Sequence, residues 1–532
     1  MKETILNFLR NGFLIKSDML NVLNQTDDIL ILDLVEIIKA LETKEKILSK
    51  DFLMTHFDRI NISLKNLERS ADNTKKIAIQ NFISLLSMNN LHIKPKELEI
   101  KKELKEKESI LKTASKLKTF KVVKNWNLPT KKIEVQDFVN YFRSRYNILK
   151  GFLQENTSLT NLTSINKISK LKQSVSIIGL VFDKKTTKNK NIILQVEDIT
   201  GKVSVLIHKN KEEVYEKAKE LVPDEIIAVT GTGNSEIIFA NDFFYPDIMN
   251  SLPGKVEKEE SAAFIADLHI GSLKFLEEPL LKFIKWLNCE LGDEQQREMA
   301  KKVKYLFVVG DVVDGIGIYP GQEDELIIKD IREQYAKAAE LLSKIRKDII
   351  IFLCPGNHDA VRIAEPQPFL DKRFAEALQD IDNLILLSNP ATVTIGNSNS
   401  CKGFSVLMYH GYSFDHYAGD IEHLRLSGAF KKPDLIVQFL LKKRHLAPMH
   451  TSTLYFPSEI DPLLLTEAPD ILVSAHMHKS AISSHNKITT ICCSCWQSKT
   501  AFQEKIGHEP DTCKVPIMNL KTNKINIIDF NE

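Results

Sequence analysis

Five short motifs in the C-terminal half hold the side chains best suited to chemistry. They are Asp267-Leu268-His269, Gly310-Asp311-Val312-Val313-Asp314, Gly356-Asn357-His358-Asp359, Tyr409-His410-Gly411 and His476-Met477-His478. Carboxylate, imidazole and amide together form a donor set for hard-to-borderline divalent ions such as Mn²⁺ or Zn²⁺. Two such ions ~3.5–4 Å apart lower the pKa of a shared water and clamp the attacking and leaving oxygens of a phosphoryl centre. The neutral Asn357 and the four imidazoles leave such a site net cationic, which favours a phosphate ester.

Positioning these groups requires strands. Each motif begins where an apolar run ends, at 262–266, 305–309, 349–354, 404–408 and 471–473. Such runs, alternating with helical stretches, predict buried strands of an α/β sheet. Side chains at strand ends converge on one sheet edge, where open α/β folds place their sites.

The order and spacing of the five motifs resemble the calcineurin-like metallophosphoesterases, whose pattern reads DxH, GDxxD, GNHD or GNHE, a lone His, then GHxH. Each motif alone is weak, but five in order, each after a strand, are specific. One departure is Ala475, which stands where the family has Gly; a position needing φ > 0 would be strained by it. The resemblance implies roles. Asp267, His269 and His478 hold one metal, Asn357, His410 and His476 the other, and Asp311 bridges. Asp314 and Asp359 orient ligands or cap turns, and His358 is general acid or charge stabiliser at the leaving oxygen. The two ions implied are Mn²⁺, with Zn²⁺, Fe²⁺ and Mg²⁺ as alternatives.

The chain has 532 residues, room for three or four domains. No apolar stretch approaches the ~20 residues of a membrane helix, and Met1-Lys2-Glu3-Thr4 opens no signal-peptide core. Seven Cys in a chain this long suggest no disulfide framework and a reducing, cytoplasmic setting. The Cys492/Cys495 pair lacks the second pair a zinc site needs and reads as buried structural Cys. The formal net charge of +2 argues nothing about nucleic acid, but residues 101–150 carry fourteen Lys and Arg against five Asp and Glu. That excess suits either a DNA-facing patch or a solvated tether.

Along the chain, residues 1–60 read as a small module of short amphipathic helices, one beginning near Ile5, Leu6, Phe8 and Leu9 and another over 29–41. Residues 61–171 read as a charged linker interrupted by an amphipathic helix at 135–153. Its stripe of Phe138, Tyr141, Phe142, Tyr146, Leu149 and Phe152 reads as core. Between 172 and 250 the pattern becomes strand, strand, strand, helix, strand, strand, the order of an OB-fold barrel. OB-folds often bind nucleic acid; few aromatics on the first three strands make this one mainly structural. Residues 258–532 form the phosphoesterase domain, an α/β two-sheet sandwich in which strands near 487–492, 514–520 and 524–530 read as the second sheet.

An OB-fold directly before a calcineurin-like domain resembles the small subunits of archaeal family-D DNA polymerases. The segments Pro320-Gly321-Gln322-Glu323-Asp324-Glu325, Arg444-His445-Leu446-Ala447-Pro448 and Trp496-Gln497-Ser498-Lys499-Thr500-Ala501-Phe502-Gln503 add to the likeness. It implies a metal-dependent 3′→5′ proofreading exonuclease releasing 5′-nucleotides. The implied partners are a large polymerising subunit and DNA, with a sliding clamp as a further candidate and no membrane. Two other classes carry the same motifs, a scaffold that only binds its partner and a general phosphatase or phosphodiesterase. The segment around Trp496 and Phe502 reads either as a partner anchor or as core.

Overall fold

The computed structural model describes residues 120–531 apart from 129, 130, 251, 399 and 506, together with short stretches and single residues between 8 and 79. The chain divides into two units, Met1–Thr113 and Ala114–Glu532. In the first, the helix Asp28–Lys39 buries Leu30, Ile31, Leu34, Val35 and Ile38, the i, i+3, i+4 face its sequence predicts. The pair Leu14–Ile15 and Ile47–Leu48 adds a short parallel bridge absent from the all-helical expectation. Its apolar cluster also takes in Leu64 and Ile79, so the module reaches past residue 60. Of the expected helix near Ile5 only Phe8, helical and buried, is described, and the lysine-rich stretch up to 119 lies outside the described residues.

The second unit holds a barrel and a two-sheet sandwich. Five strands close the barrel in the order Gln173–Thr186, Ile192–Asp198, Gly201–Ile207, Ile237–Phe244, Ile226–Gly233. Alternation drives it: Ile192, Leu194 and Val196 point inward, as do Val203, Val205 and Ile207 on the next strand. Asp198 makes the turn between those strands by accepting from the backbone N–H of Thr200 and Gly201. The helix Glu212–Ala218 falls between the third and fourth strands in sequence, as the pattern predicts.

In the sandwich, the first sheet runs Leu384–Leu386, Ile350–Cys354, Val303–Val309, Ser261–Ile265, Lys514–Asn519, Ile525–Asp529. The second runs Ala481–His485, Ile488–Cys492, Ile471–Ser474, Phe404–Met408, Ala391–Ile395, Phe120–Asn125. One apolar cluster, including Phe264, Phe307, Phe352, Val406 and Val473, draws on strands of both sheets. Phe264, Phe307 and Phe352 stack in series at 5.2 and 5.1 Å. Burial on both faces explains the unbroken apolar runs of the parallel strands.

Two expectations are corrected here. Strands 514–519 and 525–529 belong to the first sheet, because Ile517 pairs with Ala263 on the free edge of Ser261–Ile265. Part of the expected linker is also structure. Phe120–Asn125 pairs antiparallel with Ala391–Ile395, and Phe120 packs edge-on against Phe352 at 5.4 Å. The helix Val135–Gln154 buries Tyr141, Arg145, Tyr146, Leu149 and Leu153. Its Arg145 reaches Asp461 of the sandwich and the Asp224 carbonyl of the barrel. A second buried pair, Lys443 with Glu225 at 2.7 Å, ties the same two bodies together. Among the described residues no helix is long and apolar enough to cross a membrane.

Candidate metal centre

The five motif strands run parallel within their sheets, three in the first and two in the second. Their C-terminal ends deliver all eight predicted site residues to one seam. Asp267, His269 and His478 present ligand atoms within 4.8 Å of one another, and so do Asp311, His410 and His476. His358 forms a third such group with His269 and Asp311. Asn357 joins through its Oδ1, 3.0 Å from His410 Nε2.

The backbone bends sharply to do this. Asp267, His269, Asp311, His476 and His478 all have φ between 47° and 68°, in the left-handed region that side chains with a Cβ disfavour. Such strain, of order 1–3 kcal/mol per residue, clusters at functional sites. Ala475 is not among the positive-φ residues, so the missing glycine costs no strain there. Two glycines are required for space. A Cβ at Gly310, whose φ is +84°, would strike the His410 ring, and one at Gly356 would strike the Asp311 carboxylate.

Each imidazole is held from behind. His269 Nδ1 donates to Asp314 Oδ1 at 3.1 Å, His410 Nδ1 to the Val309 carbonyl at 2.9 Å, and His358 Nδ1 to the Asp314 carbonyl at 2.7 Å. His476 Nε2 meets Asp415 at 3.1 Å, and His478 Nδ1 meets the Gln503 amide at 3.0 Å. Partners of this kind fix tautomer and ring direction in metal sites. Sequence reasoning missed Asp415, Gln503 and the two further amides on Asp314, Gln322 and Gln497. Their spacing carries no signal, although three of the four lie in the segments quoted for the polymerase likeness.

The donor atoms fit divalent cations. With Nδ1–H given to Val309, neutral His410 turns a bare Nε2 toward Asn357 Oδ1 and, at 3.3 Å, Asp311 Oδ2. In that form three acceptors face one another, which either a cation or a proton on Nε2 resolves. Among the described residues, fully buried Asp267 Oδ1 has no hydrogen-bond partner, and His269 Nε2 faces His478 Nε2 at 3.1 Å. Without a cation, protons must compensate. Burial would lower the His410 pKa, but the Asp311 carboxylate outweighs it and lifts the imidazole to about 10. Burial pushes Asp267 up to about 6 despite the His410 charge. For Asp311 burial is outweighed by His410 and His358, which hold it well below the carboxylate range. No Cys joins a potential metal cluster among the described residues; Cys492, Cys493, Cys495 and Cys513 are buried free thiols. Trp496 is fully buried in the apolar cluster with Phe283, so it is core and not a partner anchor; the Phe502 side chain lies outside the described residues.

Residues 261–480 match the calcineurin-like phosphoesterase family, and residues 175–235 match an OB-fold nucleic acid binding domain. The first match implies divalent metal binding. The DNA polymerase II small subunit of Methanothermobacter thermautotrophicus is 42% identical over 389 residues, covering 73% of this chain and 78% of that one. The subunit of the same name from Archaeoglobus fulgidus is 34% identical over 82% of this chain and 84% of its own. That from Pyrococcus furiosus is 37% identical over 77% of this chain and 66% of its own. With identity of this extent running through both the barrel and the sandwich, the chain belongs to the family of DNA polymerase II small subunits.

Proposed function

We propose that the chain is the proofreading subunit of a replicative DNA polymerase, a two-metal 3′→5′ exonuclease that works beside a large polymerising subunit. The observation that carries this reading is the convergence of His410 Nε2 on Asn357 Oδ1 at 3.0 Å and Asp311 Oδ2 at 3.3 Å, beside the Asp267, His269 and His478 group. A subunit kept only as a scaffold has no use for converging bare acceptors on a strained backbone. Asp267, His269 and His478 would hold one ion and Asn357, His410 and His476 the other, with Asp311 between them. Divalent ions bound there supply an activated water and positive charge for the phosphoryl oxygens.

The chain's own part is alignment. Asp314 turns two imidazoles through its carboxylate and its carbonyl, so His269 faces the metal position while His358 keeps Nε2 for the substrate. His358 acts on the leaving oxygen as an acid or as a positive charge, and only its doubly protonated form has an Nε2–H to give. Mn²⁺ is the ion we favour, since carboxylate and amide oxygens accompany the imidazoles. The barrel before the sandwich favours a nucleic-acid substrate over a small phosphate ester. Assay of the full chain with Mn²⁺ on single-stranded DNA, mismatched primer ends and p-nitrophenyl phosphate tests the reading. Release of 5′-nucleotides from 3′ ends is expected; turnover of p-nitrophenyl phosphate alone would make it a general phosphatase, and no turnover a scaffold.

A further inference from the structure

Asp314 does two jobs at once. Its Oδ1 accepts from His269 Nδ1 at 3.1 Å, and its backbone carbonyl accepts from His358 Nδ1 at 2.7 Å. One residue therefore sets the direction of two imidazoles that join Asp311 in a common group. Such a residue is useful only if its own carboxylate cannot rotate. Asp314 is fully buried, and two glutamines hold it.

Gln322 approaches from one side. Its Nε2 donates to Asp314 Oδ2 at 3.0 Å and to the Asp314 carbonyl at 2.8 Å, and its Oε1 accepts from the Ile318 N–H at 2.9 Å. Gln497 approaches from the other. Its Nε2 donates to Asp314 Oδ1 at 3.0 Å and to Ser272 Oγ at 3.0 Å. Both amides are buried, 1% and 4% exposed, and both use two N–H groups on acceptors. The orientation is chemically forced, since only the NH₂ side of an amide can face a carboxylate. Gln322 sits in a 3₁₀ turn after the GDxxD motif, and Gln497 follows Trp496, whose N–H donates to the Asp267 carbonyl. Two segments far apart in sequence thus close on one carboxylate.

We propose that Gln322 and Gln497 are positioning residues of the centre: a two-sided amide clamp on Asp314 that aims His269 at the metal position and His358 at the leaving oxygen. The clamp rests on the two-metal reading above. Both amides are buried, and the clamp couples a metal ligand to the proposed acid through one residue, His269 by the Asp314 carboxylate and His358 by its backbone carbonyl. Both amides act on the same carboxylate, so losing one leaves it free to swing and losing the second adds less. Their effects should be non-additive.

The test uses the full chain with Gln322→Leu, Gln497→Leu and the double variant. Gln322→Met and Gln497→Met, which keep the length and remove the donor, serve if a leucine variant fails to fold. Mn²⁺ affinity is measured directly by titration, and the visible spectrum of the Co²⁺-loaded chain reports ligand geometry independently of turnover. Each single variant is expected to weaken Mn²⁺ by roughly 10–100-fold and to shift the Co²⁺ bands. In the exonuclease assay kcat should fall with KM for DNA unchanged, and the double variant should lose less than the product of the singles. Thermal unfolding in EDTA checks that the fold is intact. Wild-type Mn²⁺ affinity and Co²⁺ spectrum in folded single variants would overturn the clamp, as would strictly multiplicative losses. Asp311→Ala run alongside separates the two ideas: if it binds Mn²⁺ as wild type does, the two-metal reading fails instead.

Discussion

Arg145 Nε stands 2.7 Å from Asp461 Oδ2, with both side chains buried, so the helix Val135–Gln154 is fastened to the phosphoesterase sandwich by an ion pair out of reach of water. The same guanidinium donates to the Pro448 carbonyl at 2.7 Å and lies over the rings of Phe142 and Tyr455. Removing one partner of a buried pair strands the other charge, at a cost of about 3–5 kcal/mol. Arg145→Ala should lower stability by about that much. A chain starting at Lys170 should aggregate for the same reason, whereas one starting near residue 114 should stay monodisperse. Urea unfolding and gel filtration decide; a well-folded Lys170 start would show that the helix is dispensable.

Stability should also depend on acid through the third member of that cluster. His445 donates from Nε2 to Asp461 Oδ2 at 2.8 Å, while its Nδ1 accepts from the Ala447 N–H, so it is neutral in the fold. Burial, aided by the Arg145 charge, lowers its pKa to about 4. The unfolded chain takes up this proton below ~6.5 and the native chain only near 4, so this contribution is complete above pH 6.5 and lost as pH falls toward 4. The loss is on the order of 3 kcal/mol. His445→Asn should flatten the slope of stability against pH in that window; an unchanged slope counts against the assignment.

Asp311→Ala should abolish Mn²⁺-dependent cleavage without unfolding the chain, because one carboxylate is shared by both proposed metal positions. Elemental analysis of purified protein should find it metal-poor. Wild-type-like degradation, with contaminating nuclease excluded, would remove the nuclease assignment.

His358→Ala should retain metal but cleave ~10²–10⁴-fold more slowly, the range for loss of a positioned general acid. Loss of the metal in this variant would instead make His358 a ligand, as its grouping with His269 and Asp311 would also permit.

The seam of the sandwich was legible because its strands are buried on both faces: 305–309 and 349–354 read as unbroken apolar runs, and the polar residues after them had nowhere to go but the sheet edge. The barrel was legible from its alternation and the Asp198 turn. Phe120–Asn125 was not. Its inward residues Phe120 and Val122 do alternate, but Lys121 between them and Lys124 beyond hid the strand in a basic stretch. The sheet membership of 514–519 was unreadable locally, since it depends on pairing with a strand more than two hundred residues earlier. Gln322, Gln497 and Gln503 were invisible as site residues because an uncharged amide has no spacing rule; only the three-dimensional approach to Asp314 and His478 gives them meaning.

The left-handed backbone at Asp267, His269, Asp311, His476 and His478 has a consequence for how such a subunit can change over generations. At each of these positions the conformation alone would choose glycine, and the chemistry forbids it. A lineage that still needs cleavage is therefore held to side chains its fold would rather lose. Once cleavage is no longer selected, replacing any of the five by glycine relieves strain of order 1–3 kcal/mol, and at all but half-buried His476 it also removes a buried polar group. On the proposed function, the slope from nuclease to inert scaffold runs downhill in backbone strain, and selection for activity opposes it.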